Sequence, residues 1–317
     1  MGITQILFIA LMIALYVFQN FFCKLFSFSY PGSPSHTTSV LTVITGFVVA
    51  VVSFFFSGMK FEAQALTIVL GLFNAFVFYS YNYFFLKCSA NGPYSVLMVF
   101  AIFGGIVFPS VAKWIGFGEA MTGPAICFLV IVMIAVYLMS KKPNADGAGT
   151  SNKITPKFLA FCAGLCASNG LYNVILVTQQ KLTGEAEKEE LVIITFLGAS
   201  VVSLVSLILG KADLKKAMTQ TKKSALHIVL YALSSAFAIN SLVIILLLDI
   251  NTGVLYTIQN AGIMLLSVLL SMVYFKEKIT KTNAVGCVFM TIGLVGITLC
   301  ERVSFSQAGE FILSLFK

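Results

Sequence analysis

Ten apolar stretches, each close to a bilayer-crossing length, follow one another along this chain with short polar breaks between them. A helix rises about 1.5 Å per residue, so it needs about 20 mostly apolar residues to cross the hydrocarbon core of a membrane. The stretches are 3–23, 37–57, 63–86, 94–112, 121–140, 158–178, 191–209, 225–248, 253–275 and 282–300. Hydrocarbon offers no partner to a backbone N–H or C=O, so each segment is expected to be a helix. The fold expected is an all-α membrane protein with ten transmembrane helices. Composition agrees, with 59% apolar and 10% charged residues in 317, against roughly 25% charge in a soluble domain. No water-soluble shape of this size hides so much apolar side chain. The first stretch has no basic leader and outruns the core of a secretory signal, so it is read as a span.

The breaks carry turn residues. Pro31, Gly32 and Pro34 follow the first span, and Asn91-Gly92-Pro93 the third. The longest connection, 141–156, is polar and lies at mid-chain, while 211–223 is short and basic. The tail mixes Phe305, Phe311, Ile312, Leu315 and Phe316 with polar residues and reads equally as an interfacial amphipathic helix or a frayed end.

A repeat divides the chain in two. Phe117-Gly118-Glu119 with Thr122 recurs as Phe275-Lys276-Glu277 with Thr280, an offset of 158 residues, and Gly104 meets Gly262 at the same offset. Each copy stands before the last span of its half. Five spans per half is an odd number, so the second half enters the membrane in the opposite direction, as in the inverted repeats of many secondary transporters. The expected organisation is a first five-helix repeat over 1–142, a linker over 143–156, a second inverted five-helix repeat over 157–302 and a tail over 303–317.

Around the second copy the sequence reads Tyr274-Phe275-Lys276-Glu277-Lys278-Ile279-Thr280, followed by a helix with Gly286, Gly293 and Gly296, and the first half keeps Glu119 and Gly123. With these features, its span count and its midpoint linker, the chain resembles the drug/metabolite transporter superfamily in its ten-helix, EamA-like branch. The resemblance implies a substrate cavity between the halves, lined by spans 1–4 and 6–9, with spans 5 and 10 peripheral. The first span lacks the mid-membrane glutamate used by small four-helix multidrug relatives.

Charge bears on orientation. Lys24, Lys87, Lys141, Lys142, Lys153, Lys157, Lys211, Lys215, Lys216, Lys222, Lys223, Lys276, Lys278 and Lys281 fall on one side of a ten-span arrangement. Lys60, Lys113, Lys181, Lys188, Arg302 and Lys317 fall on the other, with both termini. The positive-inside rule places the richer side in the cytoplasm, with a plasma-membrane location expected. The net charge of +8 therefore speaks of topology and membrane lipid, not of nucleic acid.

Polar residues at membrane depth are costly, which makes them candidates. No Asp, Glu, Lys or Arg stands near the middle of any span. Glu119 and Glu277 are expected at helix ends, where a carboxylate caps free N–H groups and complements the helix dipole. The uncharged polar residues form one-sided stripes at helical spacing. Asn169, Tyr172 and Asn173 mark span 6, Tyr256, Gln259 and Asn260 span 9, and Asn74 with Tyr81 span 3; Asn240 stands on span 8, and Tyr16 and Asn20 on span 1. The expected substrate site comprises Tyr16, Asn20, Asn74, Tyr81, Asn169, Tyr172, Asn240, Tyr256, Gln259 and Asn260. Pairs such as Gly71/Ala75 and Ala160/Gly164 are expected to be close-packing positions.

The chain contains no Walker A pattern, no His-Glu-x-x-His and no Gly-x-Ser-x-Gly, so neither an ATP-driven pump nor a hydrolase is expected. Cys162 and Cys166 read as small packing residues, and no metal or cofactor is expected. A cavity lined by amides, tyrosines and no lysine or arginine suits neutral, zwitterionic or amphipathic small-molecule substrates, such as amino acids or drugs. A lipid-linked sugar flippase and a non-transporting scaffold are the alternatives. Monomer and homodimer both remain open.

Overall fold

The structure, a computed structural model, describes residues 3–30, 34–118, 123–140, 154–183, 187–210, 214–247, 252–277 and 280–300. Glu119, the linker as far as residue 153 and the tail 303–317 lie outside them. The described secondary structure is all helical, in eleven helices. They are α1 (Ile3–Ser29), α2 (Pro34–Phe56), α3 (Ala65–Asn91), α4 (Tyr94–Phe117), α5 (Gly123–Ser140), α6 (Pro156–Thr183), α7 (Lys188–Leu209), α8 (Leu214–Lys223), α9 (Ala225–Leu247), α10 (Thr252–Val273) and α11 (Lys281–Cys300). Seven of them, α1–α4, α6, α7 and α9, are long and apolar enough to cross a membrane, and α5, α10 and α11 contain shorter apolar stretches. This is the pattern of a multi-pass membrane protein. Phe55, Phe73, Ile115, Leu209 and Val273 stand exposed on the outside of the bundle, where only lipid removes the cost of apolar surface.

Four helices run past their apolar stretches. α1 continues to Ser29, α3 to Asn91, α4 to Phe117 and α6 to Thr183, because helix propensity does not stop where hydropathy does. As a result Lys24, counted above as a connecting-loop lysine, lies inside α1 and is buried. The basic stretch 211–223 is not merely a connection, since it contains the polar helix α8.

The principal pairings are α5 with α11, α2 with α7, α4 and α3 with α6, α3 with α7, and α1 and α2 with α9, with α10 against α1 and α4. Most of these join the first five helices to the later ones. Small residues let the backbones meet, since lipid gives helices no hydrophobic reason to associate and contact must come from fit. A side chain at Gly104 of α4 would strike the backbone of Cys166 in α6. Gly71 and Gly198 fit α3 to α7, against Ile194 and Ala75 respectively. The glycine-spaced face of α11 lies on α5, with Gly286, Gly293 and Gly296 against Met139, Val132 and Phe128.

These contacts also orient the bundle. Gly92, just before α4, meets Phe158 near the start of α6, and Phe108, further along α4, meets Gly170 of α6, so α4 and α6 run side by side in one direction. α1 and α10 do the same, with Ile13 against Gly262 and Phe21 4.8 Å from Tyr274. His227 at the start of α9 meets Ser29 at the end of α1, with Nδ1 3.1 Å from Oγ. One end of the bundle thus holds Ser29, Tyr94, Phe158, His227 and Phe275. The ends of α4 and α6 lie at the other.

Gly104→Ala should lower stability by about 1–3 kcal/mol, the usual cost of overpacking. Gly116→Ala, at a helical site facing open space, should raise it by up to about 1 kcal/mol. Thermal melting of the two purified variants checks both signs.

Candidate functional site

A cavity of about 720 Å³ lies at the centre of the bundle, lined from α1, α3, α4, α6, α7, α9 and α10, with Ile297 of α11. Gln19 and Asn20 of α1 and Met98 of α4 mark its deep end. It rises along α6 to Lys181, next to the helix end, and to Lys188 in the first turn of α7. Phe158 and Lys181 stand 23 residues apart on α6, or roughly 35 Å at 1.5 Å per residue. The mouth is therefore at the end of the bundle opposite Tyr94 and Phe275.

Of the residues expected in the site, Tyr16, Asn20, Tyr81, Asn169, Tyr172, Gln259 and Asn260 line this cavity. Asn74 does not. It is buried between helices, with Nδ2 3.4 Å from Thr195 Oγ1 on α7. Asn240 is likewise buried, its Nδ2 donating to Ser53 Oγ at 3.1 Å and to Ala236 O at 2.8 Å. Helical spacing identifies a polar face but not which neighbour that face meets, and here both faces of α3 and α9 have neighbours. The side chain of Tyr256 lies outside the described residues. α2 contributes nothing to the lining and α11 contributes Ile297, a departure from the arrangement the family resemblance implies.

Gln19, Gln179, Lys181 and Lys188 also line the cavity, and all four were missed as site residues. For Gln19 the signal was present, since Tyr16, Gln19 and Asn20 have the i, i+3, i+4 spacing used to pick out span 6. The lysines looked like loop residues because α6 outruns its apolar stretch and α7 begins before its own. The expectation of a cavity free of basic residues is thus corrected at its mouth.

The polar walls are largely tied to protein. Asn169 Nδ2 donates to Ala101 O at 2.7 Å, and Asn173 Nδ2 to Asn169 O at 2.8 Å. An aromatic wall adjoins them, where the Phe78 ring lies 6.3 Å from Tyr81, 6.2 Å from Tyr172 and 4.5 Å from Phe196.

Beyond the deep end the bundle is shut by a buried ion pair. Lys24 Nζ of α1 lies 3.0 Å from Glu277 Oε1, both side chains 4% exposed. The same carboxylate accepts Tyr94 N–H at 2.6 Å, Ser95 N–H at 3.1 Å and the Ser95 hydroxyl at 3.0 Å. These are the first two N–H groups of α4, which have no partner inside their helix. Pro93 precedes them and has no side-chain oxygen for a local cap. Glu277 therefore caps α4, not the helix that follows it in sequence. Lys24 also sits 4.2 Å from the centre of the Phe275 ring and 5.1 Å from that of Tyr94, close enough for cation–π attraction. Lys276 turns the chain toward this junction at φ +53°.

No family model matches this chain, and no curated protein is similar to it in sequence. Among solved structures, one crystal structure of a protein superposes with a TM-score of 0.60 over 95% of this chain and 99% of that one, at 16% identity. That likeness is one of fold.

Lys24→Met leaves a buried carboxylate without its cation, for which about 3–5 kcal/mol of stability is expected to be lost. Adding Glu277→Gln should recover part of that loss, with a coupling of at least about 1 kcal/mol in a double-mutant cycle read by thermal melting. Lys276→Gly should stabilise by about 1 kcal/mol, because glycine takes a positive φ without a Cβ clash.

Proposed function

We propose that this chain is a secondary transporter of small solutes, working by alternating access with ten spans in two inverted five-helix repeats. The observation that carries the reading is a central cavity, drawn from helices of both halves, that reaches one end of the bundle and is shut at the other by the Lys24–Glu277 junction. A transporter caught facing one way has this form.

The helix pairings support the repeat. Exchange α1–α5 with α6, α7, α9, α10 and α11 in order. The pair α4–α6 becomes α10–α1, α1–α9 becomes α6–α3 and α3–α7 becomes α9–α2, while α2–α7 and α5–α11 return to themselves. Every resulting pair is among those observed. The turns agree as well: Gly118 and Lys276, 158 residues apart, both have positive φ, at +68° and +53°. With ten spans, the halves are inverted and the site lies at their interface.

The substrate reading remains a neutral, zwitterionic or amphipathic solute, such as an amino acid or drug. With Lys24 buried, the remaining connecting lysines still favour a reading with the shut end in the cytoplasm and the mouth outside, in the plasma membrane. A second cavity, between α2, α3 and α7, has Phe54, Phe55, Phe61 and Phe76 in a lining without any charged residue.

Two measurements test this. Proteoliposomes should take up solutes from a metabolite panel, and a protein that moves none is a scaffold. In a cysteine-free background, Asn20→Cys should react with a membrane-impermeant thiol reagent from the mouth side only. Adding Glu277→Gln should make it react from both sides, with labelling from the shut side raised severalfold. Equal labelling from both sides before that change would overturn the gating role of the junction.

A further inference from the structure

At the shut end of the bundle two lysines from different helices converge on one aromatic ring. Lys87 Nζ, near the end of α3, lies 5.6 Å from the centre of the Phe161 ring of α6 and 5.4 Å from that of Tyr83. Lys157 Nζ, in the first turn of α6, lies 6.0 Å from the centre of the same Phe161 ring. Lys157 is exposed and Lys87 half-buried, and neither has a carboxylate partner among the described residues.

The placement is electrostatically unfavourable for the protein alone. Unpaired N–H groups make the start of a helix positive, so a lysine in the first turn of α6 opposes the dipole. A second ammonium over the same ring adds like-charge repulsion. No described carboxylate offsets either. Glu62, Glu187, Glu189 and Glu190 stand at the starts of α3 and α7, at the mouth end, and Glu277 is sealed against Lys24. The cluster lacks an anion, and the anion must come from outside the chain.

The surface beside the lysines identifies what carries that anion. Lys157, Ala160, Ala163 and Ala167 of α6 are all exposed, and spacings of three and four place them on one face of the helix. Ala160 was expected to pack closely against another helix, yet this strip lies open beside the seam where Phe84 of α3 meets Gly164. Both α3 and α6 are long and apolar enough to cross a membrane. Lys157 and Ala167 are ten residues apart, roughly 15 Å at 1.5 Å per residue. That is the depth of one leaflet, half of a hydrocarbon core of about 30 Å. Alanine has no rotamer freedom to lose, and its low profile lets an acyl chain lie close to the helix. A phospholipid thus matches the strip in length and the lysines in charge. A zwitterionic headgroup would bring its own ammonium to the lysines, so an anionic one is favoured.

A second copy of the chain is the other occupant that a strip of small residues accepts. A two-fold axis along the membrane normal would bring the same ends of two copies together. Four ammonium groups would then meet with no described carboxylate between them, and charge decides for the lipid.

We infer that Lys87 and Lys157 bind the phosphate of an anionic phospholipid in the leaflet at the shut end, with an acyl chain lying along Ala160, Ala163 and Ala167. The site requires that α3 and α6 cross the membrane and is independent of the transporter reading.

The test uses the full-length protein in detergent, titrated with phosphatidylglycerol or phosphatidylcholine of identical acyl chains, with bound lipid resolved by native mass spectrometry. The first phosphatidylglycerol should bind at least about fivefold more tightly than phosphatidylcholine, the contribution of one lysine beside an anionic headgroup. Lys87→Gln and Lys157→Gln should each weaken phosphatidylglycerol by about the same factor and change phosphatidylcholine less than about twofold. Both variants should melt as the wild type does in phosphatidylcholine alone, and Lys157→Arg, which keeps the charge, should retain wild-type affinity. Lys281→Gln removes an exposed lysine of the same end outside the cluster and should leave both affinities unchanged. Glycerophosphoglycerol, the headgroup without chains, and inorganic phosphate should fail to displace the lipid. Equal affinity for the two lipids, or a loss in Lys281→Gln as large as in the cluster variants, overturns the assignment. Displacement by inorganic phosphate overturns the lipid as occupant and leaves a bare anion site. A homodimer that excludes lipid from this face of α6 also overturns it and gives the strip to a second copy.

Discussion

The first turn of α4 has N–H groups that its own sequence leaves uncapped, and a carboxylate from 183 residues away meets them. Glu277 holds Tyr94 and Ser95 of α4 by their backbone and Lys24 of α1 by charge, so three separate parts of the chain converge on two oxygen atoms. A carboxylate accepting this many donors is satisfied, and the positive end of the helix dipole adds to the attraction. The aromatic rings of Tyr94 and Phe275 close round the lysine and keep water out. Such an arrangement tolerates no half measures, because removing either charge strands the other in a low-dielectric interior. In the proposed cycle it is therefore a latch with two states, made or broken.

Glycines determine where the cavity is. α4 lies on α6, α3 on α7 and α11 on α5 at distances that leave no room for a Cβ. Space survives where larger residues hold helices apart, and the Phe78, Tyr81, Tyr172 and Phe196 rings do this in the middle of the bundle. The same contrast separates polar residues that pack from those that face the cavity. Asn74 and Asn240 fall where helices touch, whereas Asn169 borders the cavity while bonded to α4. Pro109 of α4 also borders the cavity, where its missing N–H deprives no lipid-exposed carbonyl.

Much of this was legible from hydropathy. The apolar stretches matched the helices, and the glycine face of span 10 was visible as a pattern. Less legible were events at the margins. Lys24 is one residue beyond an apolar stretch and reads as a loop residue, yet the helix carries it inward because a partner 253 residues away compensates its charge. Lys181 and Lys188 were hidden for the same reason, as helix ends exceeded hydrophobic ends. Glu277 was correctly placed at a helix terminus, but the sequence nearby suggested the wrong helix. Hydropathy reports the solvent of a segment, whereas partner choice depends on which distant groups remain unsatisfied.

The pairing of early helices with late ones has a consequence for how the protein is made. When the ribosome has produced α1 to α5, most of the surfaces those helices will bury have no counterpart yet. α2 waits for α7, α3 for α6, and α5 for α11. The start of α4 waits longest for its cap. At the usual 5–20 residues per second, the stretch between Tyr94 and Glu277 takes roughly ten to forty seconds to synthesise. For that interval the long apolar helices α1 to α4 are a loose and exchangeable set, and the uncapped turn of α4 depends on water for its partners. A nascent chain that stalls before residue 277 is thus left with most of its apolar helices made and an unfinished fold, the form of intermediate that a membrane quality-control protease can distinguish from the completed protein.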